Sequence, residues 1–234
     1  MAIEIRNGSE RGYANYGWLE TYHSFSFSTY YDPNHMQFGP LRVLNEDFVK
    51  PGTGFGTHPH QDMEVVSYVL AGGLAHKDST GGESVVPAGE VQRMSAGTGI
   101  AHSEYNASDR DMVHFLQVWF IPDKKGYKPG YEQRNISDFD RNKLVAAVSN
   151  RDDLGALKIN QDVVFYVCDL DSGNSVDATI EGKRLGYLHN AMFGKLKVND
   201  ILLEPGDGLR ITGREVLKIT AVTDSRFVLF DMGQ

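Results

Sequence analysis

The 234-residue sequence contains a single cysteine, Cys168, and this scarcity limits its covalent chemistry. One cysteine can form neither a disulfide within the chain nor an internal dithiol redox pair. Structural disulfides are typical of secreted proteins, so we expect a cytoplasmic location. The sequence also lacks an apolar run of about 20 residues, the length that a membrane-spanning helix needs. Its first residues lack the charged start and apolar segment of a signal peptide.

Basic residues are scarce as well. The chain has 23 Lys and Arg against 31 Asp and Glu, a formal net charge of −8 at pH 7, and no long basic run. Binding to a phosphate backbone needs a basic face, so we expect no direct contact with nucleic acid. We expect no membrane association either, and a monomer. The hydrophobic fraction of 41% is ordinary for a folded chain, and the length suits one large domain or two small ones.

Helical periodicity is nearly absent. Short segments rich in β-branched and aromatic residues recur about every ten residues between turn residues, which predicts an all-β sandwich or barrel. Strands are expected at 41–44, 65–70, 74–77, 91–94 and 112–121, and then at 163–170, 175–180, 185–188, 191–198, 201–203, 209–212, 216–221 and 227–231. Residues 123–155 are polar, and we expect an irregular linker there with one short helix around 136–142.

Two short stretches carry the chemistry. His58 and His60 are separated by one residue, and so are His102 and Glu104. On a strand, residues i and i+2 share a face, so each pair can point the same way. If the two strands face one another in a small barrel, three imidazoles and one carboxylate converge. Such a donor set suits Fe(II), Ni(II), Cu(II), Mn(II) or Zn(II).

The spacing around these stretches resembles the two cupin motifs. Gly52, His58, His60 and Glu64 follow the first motif, and Gly81, Pro87, Gly89, His102 and Asn106 follow the second. More specifically, the chain resembles the pirin family, and within it the bacterial pirin-like quercetin 2,3-dioxygenases. The matching segments are Trp18, His23-Ser-Phe-Ser-Phe27, Tyr31-Asp-Pro33, Phe55-Gly-Thr-His-Pro-His60, Met63-Glu64, Ser95-Ala-Gly-Thr-Gly-Ile100, His102-Ser-Glu104, His114 and Gln117-Val-Trp119.

The resemblance implies a bicupin, two jelly-roll β-barrel domains packed together. We expect an N-terminal metal-binding cupin at residues 1–140 and a degenerate cupin at 141–234. The second half contains one histidine, His189, and no His-x-His pair, so no second metal site is expected there.

Two carboxylates, those of Glu64 and Glu104, are candidates for the fourth metal ligand. Most metal cupins use the residue equivalent to Glu64, whereas pirins use the one equivalent to Glu104. Glu64 has the same parity as His58 and His60, so parity alone does not exclude it. We place Glu104 first and expect Glu64 near the ligands or in the pocket.

Other candidate residues are assigned less specific roles. Gln117 and Trp119 share a strand face and are expected to line the pocket or core. Phe25 and Phe27 are expected in the core, and Cys168 is expected to be a small buried apolar residue. The isolated histidines are predicted to be ordinary surface or core residues, and these are His23, His35, His76 and His189.

The resemblance also implies a reaction. We expect a metal-dependent dioxygenase that opens the ring of a flavonol such as quercetin with O2 and releases CO. Glu104 is expected to be the base, with Glu64 as the alternative. We expect one divalent transition metal per chain, Fe(II) ahead of Ni, Cu, Mn, Co or Zn. The substrates would be a small phenolic compound and O2. The alternatives are a non-enzymatic, iron-dependent redox sensor or transcription co-regulator, and a stress or signalling protein with a vestigial metal site.

Overall fold

The computed structural model describes residues 3–136 and 141–234, and nearly every regular element within them is a β-strand. The exceptions in these ranges are short 3₁₀ helices at Gly8–Glu10 and Asp152–Leu154. The all-β prediction is therefore confirmed. No helix in the described ranges is both long enough and apolar enough to cross a membrane.

Contacts divide the described chain into two compact units. Residues 12–136 and 159–161 form the unit that we call the N-terminal unit. Residues 3–11, 141–158 and 162–234 form the C-terminal unit. The division into domains at 1–140 and 141–234 stays a proposal about which segments fold independently.

The N-terminal unit consists of two sheets. Strands are numbered along the whole chain, and β1 (Ile3–Arg6) belongs to the C-terminal unit. The strands of the N-terminal unit are β2 (Gly12–Asn15), β3 (Leu19–His23), β4 (Leu41–Val49), β5 (Gly54–His60), β6 (Glu64–Ala71), β7 (Gly73–Asp78), β8 (Glu83–Pro87), β9 (Glu90–Ser95), β10 (Ile100–Asn106), β11 (Val113–Phe120) and β12 (Gly130–Asn135). Seven strands form one sheet in the order β12-β9-β6-β11-β4-β3-β2, and four form the other in the order β5-β10-β7-β8.

Residue composition explains the central strands of the large sheet. β6 and β11 lie in its middle and are rich in β-branched and aromatic residues, which favour strands. Apolar side chains pack in two clusters within this unit. One cluster contains Leu19, Val49, Val69, Leu74, Val86, Val113 and Phe115, and the other contains Val65, Met94, Ala96 and Ile100. β5, in contrast, has no fully buried residue, so its side chains are available for a site.

The C-terminal unit repeats this layout with a different sequence. Its further strands are β13 (Val145–Ser149), β14 (Leu157–Lys158), β15 (Val163–Leu170), β16 (Ser175–Ile180), β17 (Arg184–Asn190), β18 (Leu196–Val198), β19 (Ile201–Leu203), β20 (Gly208–Thr212), β21 (Glu215–Ala221) and β22 (Ser225–Gly233). Its sheets have the orders β1-β20-β17-β22-β15-β13-β14 and β16-β21-β18-β19. Each half is thus a pair of sheets, as predicted for a jelly roll.

Three local predictions were wrong or fall outside the description. The expected linker contains β12 and β13, two strands that pair with β9 and β15. The strand expected from residue 191 begins only at Leu196, because the chain turns at Gly194, which has a φ of +81°. The helix expected around 136–142 lies largely in residues 137–140, outside the described residues.

Candidate metal centre

The antiparallel pairing of β5 with β10 brings the two predicted pairs of ligands to one place. His58 lies directly opposite His102 in the register. The two Nε2 atoms are 3.1 Å apart. The ring centroid of His60 lies 4.8 Å from that of His58 and 4.9 Å from that of His102. The three imidazoles therefore converge, as the spacing predicted.

Two of these imidazoles, those of His60 and His102, are held in the neutral form. Burial, together with the neighbouring His102 and His58, lowers the pKa of His60 to about 4. Burial, together with the neighbouring His58 and His76, lowers the pKa of His102 to about 3. Both rings are neutral at pH 7, so each keeps one ring nitrogen with a lone pair that can bind a metal ion.

Hydrogen bonds around the rings support a ligand role. Nδ1 of His58 lies 2.8 Å from the carbonyl oxygen of Gly56. If Nδ1 donates that hydrogen bond, the lone pair of His58 is on Nε2, the atom that faces His102. Nε2 of His60 is buried and has no hydrogen-bond partner in the described part of the chain. A buried ring nitrogen without a partner is costly, and a metal ion at this point would satisfy it.

Glu104 reaches the same place through an irregularity in β10. The register between β10 and β5 shifts between His102 and Glu104, and such bulges often re-aim a side chain toward a site. Gly54 makes the close approach of the strands possible, since a Cβ atom at this position would collide with the backbone oxygen of Glu104.

Three polar side chains of the large sheet hold the Glu104 carboxylate. Nε2 of Gln92 and Oγ of Ser67 lie 2.6 Å and 3.1 Å from Oε1. Nε2 of Gln117 donates to Oε2 at 2.7 Å. Glu104 is 1% exposed, so these contacts fix its orientation in a buried setting. Gln117, which was expected to line the pocket or core, thus contacts this carboxylate directly.

These partners belong to one row across the sheet. Gln92 pairs with Ser67, Ser67 with Gln117, Gln117 with Asn45, and Asn45 with His23. Directly paired residues share a face of a sheet, so the row presents five polar side chains to the same side. Of the five, only Gln117 was predicted from the sequence to be a site residue. The other four can be recognised as site residues only from the pairing of their strands, which a single sequence does not show.

Glu64 lies in a different environment from the histidines. It begins β6, and its carboxylate accepts hydrogen bonds from Oγ of Ser95 at 2.8 Å and Nδ2 of Asn160 at 2.9 Å. Burial raises its pKa, although the hydrogen bonds from Asn160 and Ser95 act in the opposite direction. Glu64 does not line the cavity that contains His58, His60 and Glu104. In the part of the chain that the structure describes, it belongs to no group of side chains placed to bind a metal ion. Geometry therefore favours Glu104 over Glu64 as the fourth ligand.

His76, which was predicted from the sequence to be an ordinary surface or core histidine, adds a fourth imidazole near Glu104. It lies on β7 directly opposite Glu104, is 1% exposed, and stacks on Tyr131. Its Nε2 is 2.9 Å from Oδ2 of Asp78. His76-x-Asp78 has the same i, i+2 spacing as the two predicted pairs, and this spacing was the signal that could have identified it.

A cavity of about 380 Å³ opens onto the ligands within the N-terminal unit. Its lining includes His58, His60 and Glu104. Aromatic side chains form much of the wall, and these are Tyr16, Trp18, Phe27, Phe55 and Trp119. Phe27 and Trp119 therefore line the cavity, whereas Phe25 is buried in the core as expected. An apolar cavity with a few convergent polar groups is typical of a small-molecule site.

The donor set fits a divalent transition metal. Two overlapping groups of side chains in the described residues have ligand atoms within 4.8 Å of one another, His58 with His60 and His102, and His76 with His102 and Glu104. Neutral imidazoles with one carboxylate are the ligands of iron, nickel, copper, manganese and zinc in proteins. Metal binding by His58, His60, His102 and Glu104 stays a prediction. His102 belongs to both groups, and His58, His60 and Glu104 line the same cavity.

Comparisons with family models match both halves of the chain. The model described as Pirin matches residues 5–120. The model described as the quercetinase C-terminal cupin domain matches residues 146–232.

Individual relatives extend the match over nearly the whole chain. A protein of Escherichia coli K12 named quercetin 2,3-dioxygenase is 44% identical, over 98% of each chain. A protein of Caulobacter vibrioides named pirin-like protein is 40% identical, over 98% of this chain and 99% of the relative. A crystal structure of the bacterial pirin YhhW from Escherichia coli in complex with nickel(II) has a TM-score of 0.91 at 42% identity, over 99% of each chain.

Proposed function

The chain belongs to the pirin family, and from this premise we propose that it is a metal-dependent dioxygenase that opens the ring of a flavonol such as quercetin. The observation that carries the proposal is that His58, His60 and Glu104 line an aromatic cavity of about 380 Å³ and that His102 pairs directly with His58. Relatives of 44% and 42% identity bear the name quercetin 2,3-dioxygenase, the second as a putative one, which supports the same reaction class.

His58, His60, His102 and Glu104 would hold one metal ion. When bound, a divalent transition metal supplies Lewis acidity toward a phenolic hydroxyl and redox chemistry toward O2. We propose Fe(II) for this chain, with nickel(II) as the first alternative because a 42% identical structure contains it. With these four protein ligands, such an ion would keep room for a substrate to bind, as catalysis requires.

Glu104 is the proposed base for the flavonol 3-hydroxyl. Its carboxylate lines the cavity, and Gln92, Ser67 and Gln117 hold it in one orientation. A base must lie within hydrogen-bonding reach of the proton that it takes, and a residue in the cavity wall meets that condition. Glu64, the alternative base, does not line the cavity.

The aromatic wall supplies orientation and excludes water. The aromatic residues that line the cavity offer a flat, apolar surface to a planar ring system. The ring of Trp119 packs against His60 with centroids 4.8 Å apart, so a ligand on Trp119 lies beside the metal ligands. Removal of water from this region strengthens the electrostatic interactions of the buried carboxylate.

The proposed reaction balances without a further reductant. The substrate loses the 3-hydroxyl proton to Glu104, and two ring carbon bonds break as both atoms of O2 enter the product. The carbon that carried the hydroxyl leaves with its oxygen as CO, and the rest forms a depside that regains the proton. The flavonol is the electron donor and O2 is the oxidant.

The test is turnover by purified protein loaded in turn with Fe, Ni, Cu, Mn and Co. The proposal predicts loss of the flavonol absorbance and formation of CO with at least one metal, and loss of this activity in His58→Ala. Stoichiometric metal binding without turnover of any phenol in a broad panel would contradict it and would favour the metal-dependent regulator.

We also propose that the chain acts as a monomer in the cytoplasm, without direct contact with nucleic acid or a membrane. The net charge of −8 and the single, buried cysteine support this setting. Light scattering after gel filtration tests the monomer: a mass near 26.0 kDa is expected, and a dimeric mass would contradict it.

A further inference from the structure

The cavity has a polar region that the metal ligands do not explain. Thr21 and Asp47 pair across β3 and β4, and so do His23 and Asn45. All four line the cavity and all four are less than 4% exposed. We call these four residues the distal polar subsite, because they lie on β3 and β4, beyond β11 and Gln117 in the strand order.

Two features show that this region is suited to a ligand. Nδ1 of His23 is 2.8 Å from Oδ1 of Asn45, which orients both side chains. Oγ1 of Thr21 is buried and has no hydrogen-bond partner in the described part of the chain. A buried hydroxyl without a hydrogen-bond partner costs free energy. Valine has nearly the same shape as threonine, so the fold alone does not require a hydroxyl at this position. A polar group of a bound molecule would satisfy it.

The distance to the metal ligands sets the size of that molecule. The row from Gln117 through Asn45 to His23 crosses two strand spacings, about 10 Å in total. Gln117 contacts Glu104, the proposed base, so the reacting hydroxyl would lie at this end of the cavity. The distal polar subsite forms the other end. Trp18 and Phe55 pack edge to face with centroids 5.1 Å apart and line the cavity wall.

We propose that the distal polar subsite binds a hydroxyl group on the ring farthest from the reacting hydroxyl, so that the protein prefers polyhydroxylated aromatic substrates over those with the reacting hydroxyl alone. Oγ1 of Thr21 donates a hydrogen bond to the oxygen of that hydroxyl, and the carboxylate of Asp47 accepts its hydrogen. His23 and Asn45 form the neighbouring part of the cavity wall. This inference rests on the proposed function for the identity of the reacting hydroxyl.

The test is equilibrium binding of two flavonols to metal-loaded protein without O2, where no turnover can occur. One probe is quercetin, which carries hydroxyls on its distant ring, and the other is 3-hydroxyflavone, which carries only the reacting hydroxyl. The expected result is tighter binding of quercetin by the unmodified protein. Thr21→Val should reduce the ratio of the two Kd values about three- to ten-fold, the effect of one neutral hydrogen bond.

Two further variants separate recognition from folding. Thr21→Ser keeps the hydroxyl and should keep the preference for quercetin. Ser24→Ala removes another buried hydroxyl that has no partner in the described residues, but Ser24 does not line the cavity. It should therefore keep the ratio of the unmodified protein. Urea unfolding of all three variants verifies that each one is folded.

The outcomes distinguish this inference from the proposed function. Equal binding of the two flavonols, or an unchanged ratio in Thr21→Val, would overturn the distal polar subsite even if flavonols are turned over in air. A preference for quercetin that Thr21→Val abolishes would support the subsite, even if no turnover is seen in air and the dioxygenase proposal fails.

Discussion

Gln117 donates a hydrogen bond from Nε2 to Oε2 of Glu104 at 2.7 Å, although the two residues come from different sheets. The contact joins the pocket wall to the proposed fourth metal ligand. Groups that hold a ligand in this way typically change metal affinity or activity 10- to 100-fold when they are removed.

The first prediction concerns this contact. Gln117→Met keeps the volume but removes the donor, so we expect about 10- to 100-fold weaker metal binding in a chelator competition titration. Gln37→Met is the control, because Gln37 is exposed and outside the cavity lining. Equal affinity in Gln117→Met and the control would show that Glu104 does not need this donor.

The second prediction separates the two candidate carboxylates. Glu104→Gln should reduce bound metal strongly, because the amide is a weaker ligand than the carboxylate that it replaces. Glu64→Gln is the matched change at a carboxylate held by Ser95 and Asn160, and it should keep the full metal content. Elemental analysis of both variants decides the matter. The reverse pattern would make Glu64 the ligand.

The third prediction concerns the bulge that aims Glu104. Gly54→Ala should destabilise the fold by about 1–3 kcal/mol, because the new methyl group collides with the backbone of β10. Gly56→Ala is a matched change two residues away on the same strand. The nearest atom to its new Cβ would be Oη of Tyr105, at 3.9 Å. A surface change of this kind should alter stability by no more than about 0.5 kcal/mol. Urea denaturation measures both, and equal stabilities would refute the steric argument.

The fourth prediction is a pH dependence at Glu64, whose pKa burial raises above its ordinary value of 4.5. The carboxyl group of Glu64 therefore stays protonated to a higher pH in the folded state than in the unfolded chain. Its contribution to stability is present at low pH and is lost as the pH rises through the folded-state pKa. Glu64→Gln cannot lose a proton. The stability of the variant relative to the unmodified protein should thus increase from pH 4.5 upward.

The measurement is urea unfolding from pH 4.5 to 8 for the unmodified protein and for Glu64→Gln. Glu83→Gln is the control for loss of one surface charge, since Glu83 is exposed and pairs with the exposed Lys77. A stability difference for Glu64→Gln that is constant over this range would contradict the raised pKa.

The sequence predicted the parts of this fold and site that depend on local pattern. Alternation along a strand is local, so it predicted that His58 and His60 share a face and that His102 and Glu104 do as well. Strong β-branched segments such as Val163–Leu170 were located to the residue. Composition and turn spacing were enough for the all-β class.

What could not be predicted depends on pairing between distant segments. Ser67 and Gln92 contact Glu104 only because β6 and β9 lie side by side in one register, and a single sequence does not contain that register. β12 was not predicted because most of its residues are polar, which is typical of an edge strand. Its sequence is Gly-Tyr-Glu-Gln-Arg-Asn. β13 is short and contains two alanines, which favour strands weakly.

Four side chains, those of His58, His60, His102 and Glu104, are proposed to hold a single metal ion at the cavity. The most direct measurement is elemental analysis of protein isolated without added metal, for the unmodified chain, for His102→Ala, and for His35→Ala as a histidine control outside the cavity. We predict close to one transition-metal ion per chain in the unmodified protein and in His35→Ala, and a small fraction of that in folded His102→Ala. Stoichiometric metal retained by His102→Ala would contradict the claim.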